Sequence, residues 1–163
     1  MQPKRINKWL NGSELEVALN DQKILSWLNE EGSITERISS VAKFKLKVLN
    51  DDIGIAEDEE YRSLEINFDE ARIREVILYG DILPIVYARS IIPNLTEVNG
   101  FPGLGKIGSK PLGDLLFNSK LFDKTRREYS KFKNLDGGVI WGRRTFYLVK
   151  DYPLSVMEVF LNP

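Results

Sequence analysis

Apolar residues along this chain fall into two rhythms. In residues 21–29, Ile24, Leu25, Trp27 and Leu28 recur at helical spacing, which predicts an amphipathic helix ended at the Glu31-Gly32 step. Ser33-Ile34-Thr35-Glu36 follows with a capping-box pattern, Ser33 accepting from backbone and Glu36 reaching back, and predicts a second short helix to about Ala42. On spacing alone it marks a helix start and nothing more. The period then shortens to two. Phe44, Leu46 and Val48 alternate with lysines and predict a half-exposed strand, whereas the acidic, weakly patterned residues 51–61 read as a surface loop. Residues 71–79 and 83–92, parted by Gly80-Asp81, predict a hairpin. Residues 124–132 suit a strand, although their period also fits a helix. A last hairpin joins residues 145–149 to 154–161 through Lys150-Asp151-Tyr152-Pro153. Helices in front and hairpins to the end predict an α+β domain: a single antiparallel β-sheet of about six strands with helices packed on one face. One domain is expected over residues 1–163, with residues 1–20 as an N-terminal extension.

Charges interrupt three of the apolar rows. Leu154, Val156, Glu158 and Phe160 share a face of the last strand, so Glu158 needs a cation or a ligand group to offset its burial. Arg74 lies beside Val76 and Leu78 on a row that starts with Arg72 at the strand's outer end. Arg89 falls in the Ile85, Tyr87, Ile91 row of the neighbouring strand. A long stem in such a row reaches water roughly twice as often as it pairs inside. With Arg74 and Glu158 both on apolar rows of one sheet, the inward reading becomes as good as the other.

Composition removes whole classes of chemistry. The chain has no cysteine and no histidine, which excludes thiol nucleophiles, disulfides, Ser-His-Asp triads and the commonest zinc and iron ligands. Any metal would be a hard ion held by carboxylates. The balance of 23 Lys and Arg against 24 Asp and Glu gives no support to nucleic-acid or membrane-surface binding. The basic run at residues 124–127 reads as a solvated strand face. The start, MQPKRINKW, lacks an apolar h-region, and no stretch is apolar enough to span a membrane, so a cytoplasmic location is expected. The connection GFPGLGKIGSKPLG at 100–113 contains a formal G-x-G-x-x-G at Gly103, Gly105 and Gly108. It follows Pro102 rather than a buried parallel strand and has no βαβ unit around it, so dinucleotide binding is rejected. It reads instead as a mobile loop covering something, with Pro111 opening a short helix that carries Leu112, Leu115, Leu116 and Phe117.

The motifs Trp27-Leu28 with Gly32-Ser33-Ile34-Thr35, Ile73-Arg74-Glu75-Val76, Ala88-Arg89-Ser90-Ile91-Ile92-Pro93, Leu104-Gly105 with Lys110-Pro111-Leu112-Gly113 and Leu116-Phe117, Trp141-Gly142-Arg143-Arg144 and Glu158-Val159-Phe160-Leu161 run in order from about residue 20 to the C-terminus. Each is weak alone; together they are specific, and the chain resembles the chorismate pyruvate-lyases, which convert chorismate to 4-hydroxybenzoate and pyruvate at the start of the ubiquinone pathway. The resemblance implies a single antiparallel sheet with helices, no cofactor and a buried ligand site closed by two flap-like loops. It puts the family's ligand-contacting arginine on Arg74, the glutamate on Glu158, and two loop contacts on Ile34 and Leu112. The family position matching Ile34 is often methionine, a change that a backbone N–H contact would survive. Chorismate is then the partner, with no nucleic acid and no membrane insertion, and the protein is expected to be a monomer. A different class stays open: effector-binding domains of GntR-type regulators resemble this fold and bind small ligands without turnover. Those need a DNA-binding winged helix, for which the roughly 20 residues before the matched region leave no room.

Overall fold

The computed structural model describes residues 2–163. Seven antiparallel strands form one curled sheet in the order β1-β5-β6-β7-β4-β3-β2. They are β1 (Lys4–Arg5), β2 (Phe44–Gly54), β3 (Ala71–Gly80), β4 (Leu83–Pro93), β5 (Phe122–Lys133), β6 (Val139–Val149) and β7 (Tyr152–Phe160). The helices are α1 (Gly12–Ala18), α2 (Gln22–Leu28), α3 (Ile34–Ser39), α4 (Asp58–Ser63) and α5 (Leu112–Asn118). The α+β class and the single antiparallel sheet are as expected, and residues 124–132 are strand.

Even-numbered residues of β3, β4 and β7 point to one face, here called the first. On it Trp27 and Leu28 of α2 and Ile34 and Ile38 of α3 pack against Val76, Leu78, Ala88 and Phe160. Next to them Leu112 and Leu116 of α5 pack against Phe122, Val149, Leu154 and Val156. The second face carries α4, whose Tyr61, with Leu64 just beyond its end, meets Ala71, Ile73, Ile91 and Phe146. The N-terminal residues belong to the body of the domain: Lys4 and Arg5 pair with β5, and Leu10 bridges Tyr129.

Three local expectations change. Residues 51–61 are not a loop: β2 runs on to Gly54, and Asp58–Ser63 forms α4, started by a capping box between Glu57 and Glu60. Acidic side chains in that first turn suit the positive end of the helix dipole, so what resembles a solvated loop is a helix start. The second short helix stops at Ser39, before Ala42. The β6–β7 turn is tighter than four residues. Lys150 and Asp151 both have positive φ, at 49° and 68°, and Val149 pairs directly with Tyr152, as in a type I′ hairpin.

The glycine-rich connection is pinned to the body. Leu104 is fully buried within a 3₁₀ turn over Pro102–Lys106. A Cβ on Gly105 would come within 2.0 Å of Glu97 Oε1, so a side chain there would displace the Glu97 carboxylate from Arg72.

Candidate active site

A cavity of about 190 Å³ lies between the first face of the sheet and the opening turns of α3 and α5. That is slightly more than the ~150 Å³ known to admit a benzene molecule, so it suits one six-membered ring. Val76, Leu78, Ala88 and Val156 supply an apolar floor, and Ile34, Leu112 and Leu116 an apolar roof. Arg74 and Glu158 line the same space, so all four residues singled out in the sequence meet in one cavity.

Arg74 comes from β3 and is 2% exposed. Its Nη1 donates to Asp51 Oδ2 at 3.1 Å and to the Gly108 carbonyl at 2.7 Å, and its Nη2 donates to the Lys110 carbonyl at 2.7 Å. Asp51 reaches it through a bulge. The β2–β3 ladder slips between Val48 and Asn50, and the extra residue turns Asp51, which strict alternation would aim at the second face, toward Arg74. Asp51 also accepts from Arg72 Nη1 at 3.2 Å, and Arg72 Nε donates to Glu97 at 3.0 Å. Burial draws the Arg74 guanidinium below the usual arginine range, partly offset by the Asp51 charge. Of the five N–H groups of a guanidinium, Nε–H and one on Nη2 find no acceptor among the described residues.

Glu158 pairs not with Arg74 but with Arg143, whose Nε donates to Glu158 Oε1 at 2.9 Å. Arg143 Nη1 donates further to the carbonyls of Leu28 at 3.2 Å and Glu30 at 2.7 Å, tying the sheet to the end of α2. The hairpin explains the pairing: counting outward from Val149 and Tyr152 puts Arg143 opposite Glu158. A two-residue turn was therefore a sequence signal for this partner. Glu158 Oε2 accepts no hydrogen bond among the described residues. Nearby Tyr147 has its hydroxyl raised above the usual tyrosine range by burial and by the charge of Glu158, so it stands as a neutral phenol.

Two segments cover the cavity, and they touch. Ser33, the N-cap of α3, accepts from Glu36 N at 3.1 Å and donates to Asp114 Oδ1 of α5 at 2.9 Å. Ile34 and Leu112 each stand first in their helix, where an amide has no intrahelical acceptor.

Arg89 lies outside the site. It is on the second face, where it donates to both carboxylate oxygens of Glu60 at 2.9 and 2.8 Å. The run at 124–127 is not simply a solvated face either, since Lys124 and Arg127 both line the cavity. Asp51, Arg143, Lys124 and Arg127 are the cavity-region residues that sequence reasoning passed over. Among the described residues no group of three or more carboxylates converges as a metal site would require, and no helix is long and apolar enough to cross a membrane.

Fold and cavity together define an α+β small-molecule domain whose ligand space is enclosed between one sheet face and two helical turns. Residues 4–163 match the chorismate lyase family, and the chain belongs to it. It is 33% identical over 162 residues to a "Probable chorismate pyruvate-lyase" of Pseudomonas putida, covering 94% of this chain and 87% of that one. To the protein of the same name from Pseudoalteromonas atlantica it is 31% identical over 170 residues, covering 94% and 85%. Among solved structures it is similar to the C-terminal domain of the histidine utilization repressor of Pseudomonas syringae pv. tomato, with TM-score 0.56, 12% identity and coverage of 72% and 91%. A GntR-family transcriptional regulator of Enterococcus faecalis gives TM-score 0.51 at 13% identity, covering 75% and 93%. At such identities the likeness concerns the fold alone.

Proposed function

We propose that the protein is a chorismate pyruvate-lyase, eliminating pyruvate from chorismate to leave 4-hydroxybenzoate for ubiquinone synthesis, without a cofactor, as a cytoplasmic monomer. The observation that carries this reading, beside family membership, is a one-ring cavity with unspent arginine donors on one wall and a carboxylate acceptor on another. In this reading the ring carboxylate is received by the free N–H groups of Arg74 and the backbone N–H groups of Ile34 and Leu112. Glu158 Oε2 accepts from the ring hydroxyl, and the apolar floor and roof hold the ring flat.

The chemistry asks little more. The bond between the ring and the enolpyruvyl ether oxygen breaks, and its electron pair leaves with that oxygen. The proton on the hydroxyl-bearing ring carbon departs, its pair completing the aromatic ring, and protonation of the enolpyruvate methylene gives pyruvate. Aromatisation supplies the driving force, leaving the protein to hold the reacting groups in geometry and to stabilise developing charge. Purified protein mixed with chorismate should release 4-hydroxybenzoate and pyruvate in equal amounts, undiminished by EDTA. Unequal products, or loss of turnover on chelation, would sink the reading. A second reading, a sensor of small aromatic acids on the same cavity, predicts tight 4-hydroxybenzoate binding with no turnover of chorismate.

A further inference from the structure

Lys124 and Arg127 form a wall of the cavity for which the ring site has no use. Residues three apart on a regular strand point to opposite faces. Here the β5–β6 ladder slips between Lys124 and Arg126, and the extra residue brings both side chains to the cavity side. The Arg127 side chain is 10% exposed. Its Nε donates to Thr145 Oγ1 at 2.8 Å, its Nη1 to Glu31 Oε1 at 3.0 Å and more weakly to the Glu30 carbonyl at 3.4 Å. Its Nη2 finds no acceptor among the described residues. Lys124 Nζ meets the other oxygen of the same Glu31. Two cations thus share one carboxylate, and that carboxylate is 68% exposed, on the segment leading into α3.

The register puts this pair opposite Arg74. Arg127, Thr145, Val156, Ser90 and Arg74 are partners in succession across β5, β6, β7, β4 and β3. Arg127 and Arg74 therefore stand at the two ends of one transverse row, with Val156 and Ser90 as floor between them. Four strand spacings make roughly 19 Å of backbone, which two long side chains reaching inward from a curled sheet largely close. Glu158 lies on β7, between the two ends. Arg143 is a poorer candidate for an incoming anion, because Glu158 already neutralises it and two carbonyls bind its Nη1.

Resting on the lyase reading, the substrate has a second carboxylate to place. Chorismate is a dianion whose enolpyruvyl group hangs from the ring carbon beside the one bearing the hydroxyl. With the ring carboxylate at Arg74 and the hydroxyl at Glu158, the enolpyruvyl carboxylate falls on the side away from Arg74. We propose that Lys124 and Arg127 form the subsite for the enolpyruvyl carboxylate, from which the exposed Glu31 side chain yields as substrate binds. Their charge also lies near the ether oxygen that turns negative as it leaves.

The test separates one carboxylate from two. Calorimetry compares 4-hydroxybenzoate with unreactive 4-hydroxy-3-(carboxymethoxy)benzoate, which adds an ether-linked carboxylate, on the wild type and on Arg127→Gln, Lys124→Gln and Glu31→Gln. The dicarboxylate should bind wild type more tightly than the monocarboxylate. Arg127→Gln should weaken the dicarboxylate by about 30-fold, as loss of one partner of a buried charged contact does. Affinity for 4-hydroxybenzoate should stay within about twofold, which also reports an intact fold. Lys124→Gln should act in the same direction, while Glu31→Gln should tighten dicarboxylate binding. Equal loss for both ligands, or no preference for the dicarboxylate in wild type, overturns the subsite. Failure of wild type to turn over chorismate overturns the lyase reading instead, and the binding comparison still decides the subsite.

Discussion

Both faces of the sheet bury arginines, but they use them differently. On the second face Arg144 is held by Glu128 through Nε at 2.9 Å and by Glu59 through Nη1 at 2.8 Å and Nη2 at 2.7 Å, and its guanidinium stacks over Trp9 at 4.4 Å. Arg89 likewise meets two carboxylates, Glu60 and Glu75. Carboxylates close these networks. On the first face Arg74 and Arg127 lean on backbone carbonyls, and each shares its carboxylate with a second cation: Asp51 serves Arg72 as well, and Glu31 serves Lys124. Two carboxylates to each arginine mark the structural wall, and one carboxylate shared between two cations marks the candidate binding wall.

Breaking the closed face should cost the most. Arg144→Ala strands Glu59 and Glu128 and should lower stability by about 3–5 kcal/mol, read from urea unfolding, with the 4-hydroxybenzoate affinity of the folded protein unchanged. A large loss of affinity there would erase the division between the faces.

On the open face the sign of the comparison reverses. Arg74→Ala should lose about 2–5 kcal/mol of 4-hydroxybenzoate binding while stability falls less, since Asp51 keeps Arg72. Arg74→Lys should also bind poorly, an ammonium lacking the planar fork. Wild-type affinity in both variants would remove Arg74 from the site.

A smaller effect concerns the cover. If product escape requires α3 and α5 to part, rapid quench of wild type shows a burst of about one product per site before a slower steady state. Asp114→Ala removes the bond to Ser33 and, at about 1 kcal/mol, should speed release roughly fivefold and shrink the burst. A linear time course in wild type rules out rate-limiting release.

The smallest effect is acid sensitivity. Burial pushes the Glu59 carboxyl up, but its bonds to Arg144 and the Arg144 charge outweigh this and hold it below the usual glutamate range. A lowered folded value favours folding above the ordinary value of about 4.3, and that contribution is lost as pH falls through the folded value. Glu59→Gln should therefore flatten the decline in stability below about pH 4.3. An unchanged slope would mean that acid attacks the fold elsewhere.

Much of the candidate site was legible because strand side chains alternate locally. The rows around Arg74 and Glu158 follow from that period, and Ser33 announces the helix start that sets Ile34 at the cavity roof. Residues 51–61 were misread because an acidic helix start resembles a solvated loop until it packs. Arg143 was within reach, had the Lys150-Asp151 turn been taken as two residues.

The sequence alone therefore determined the α+β class, the hairpins and the rows on which Arg74 and Glu158 lie, since these depend on periodicity and turn chemistry within a few residues. Tertiary structure decided the rest. The order β6-β7-β4-β3 sets β7 beside β4, a strand distant in sequence, bringing Glu158 and Arg74 over one floor. The bulges after Val48 and Lys124 aim Asp51 at Arg74 and Arg127 at the cavity. A bulge reflects how two whole strands fit, and it reverses every face assigned downstream of it, so alternation counted along one strand could not foresee either side chain.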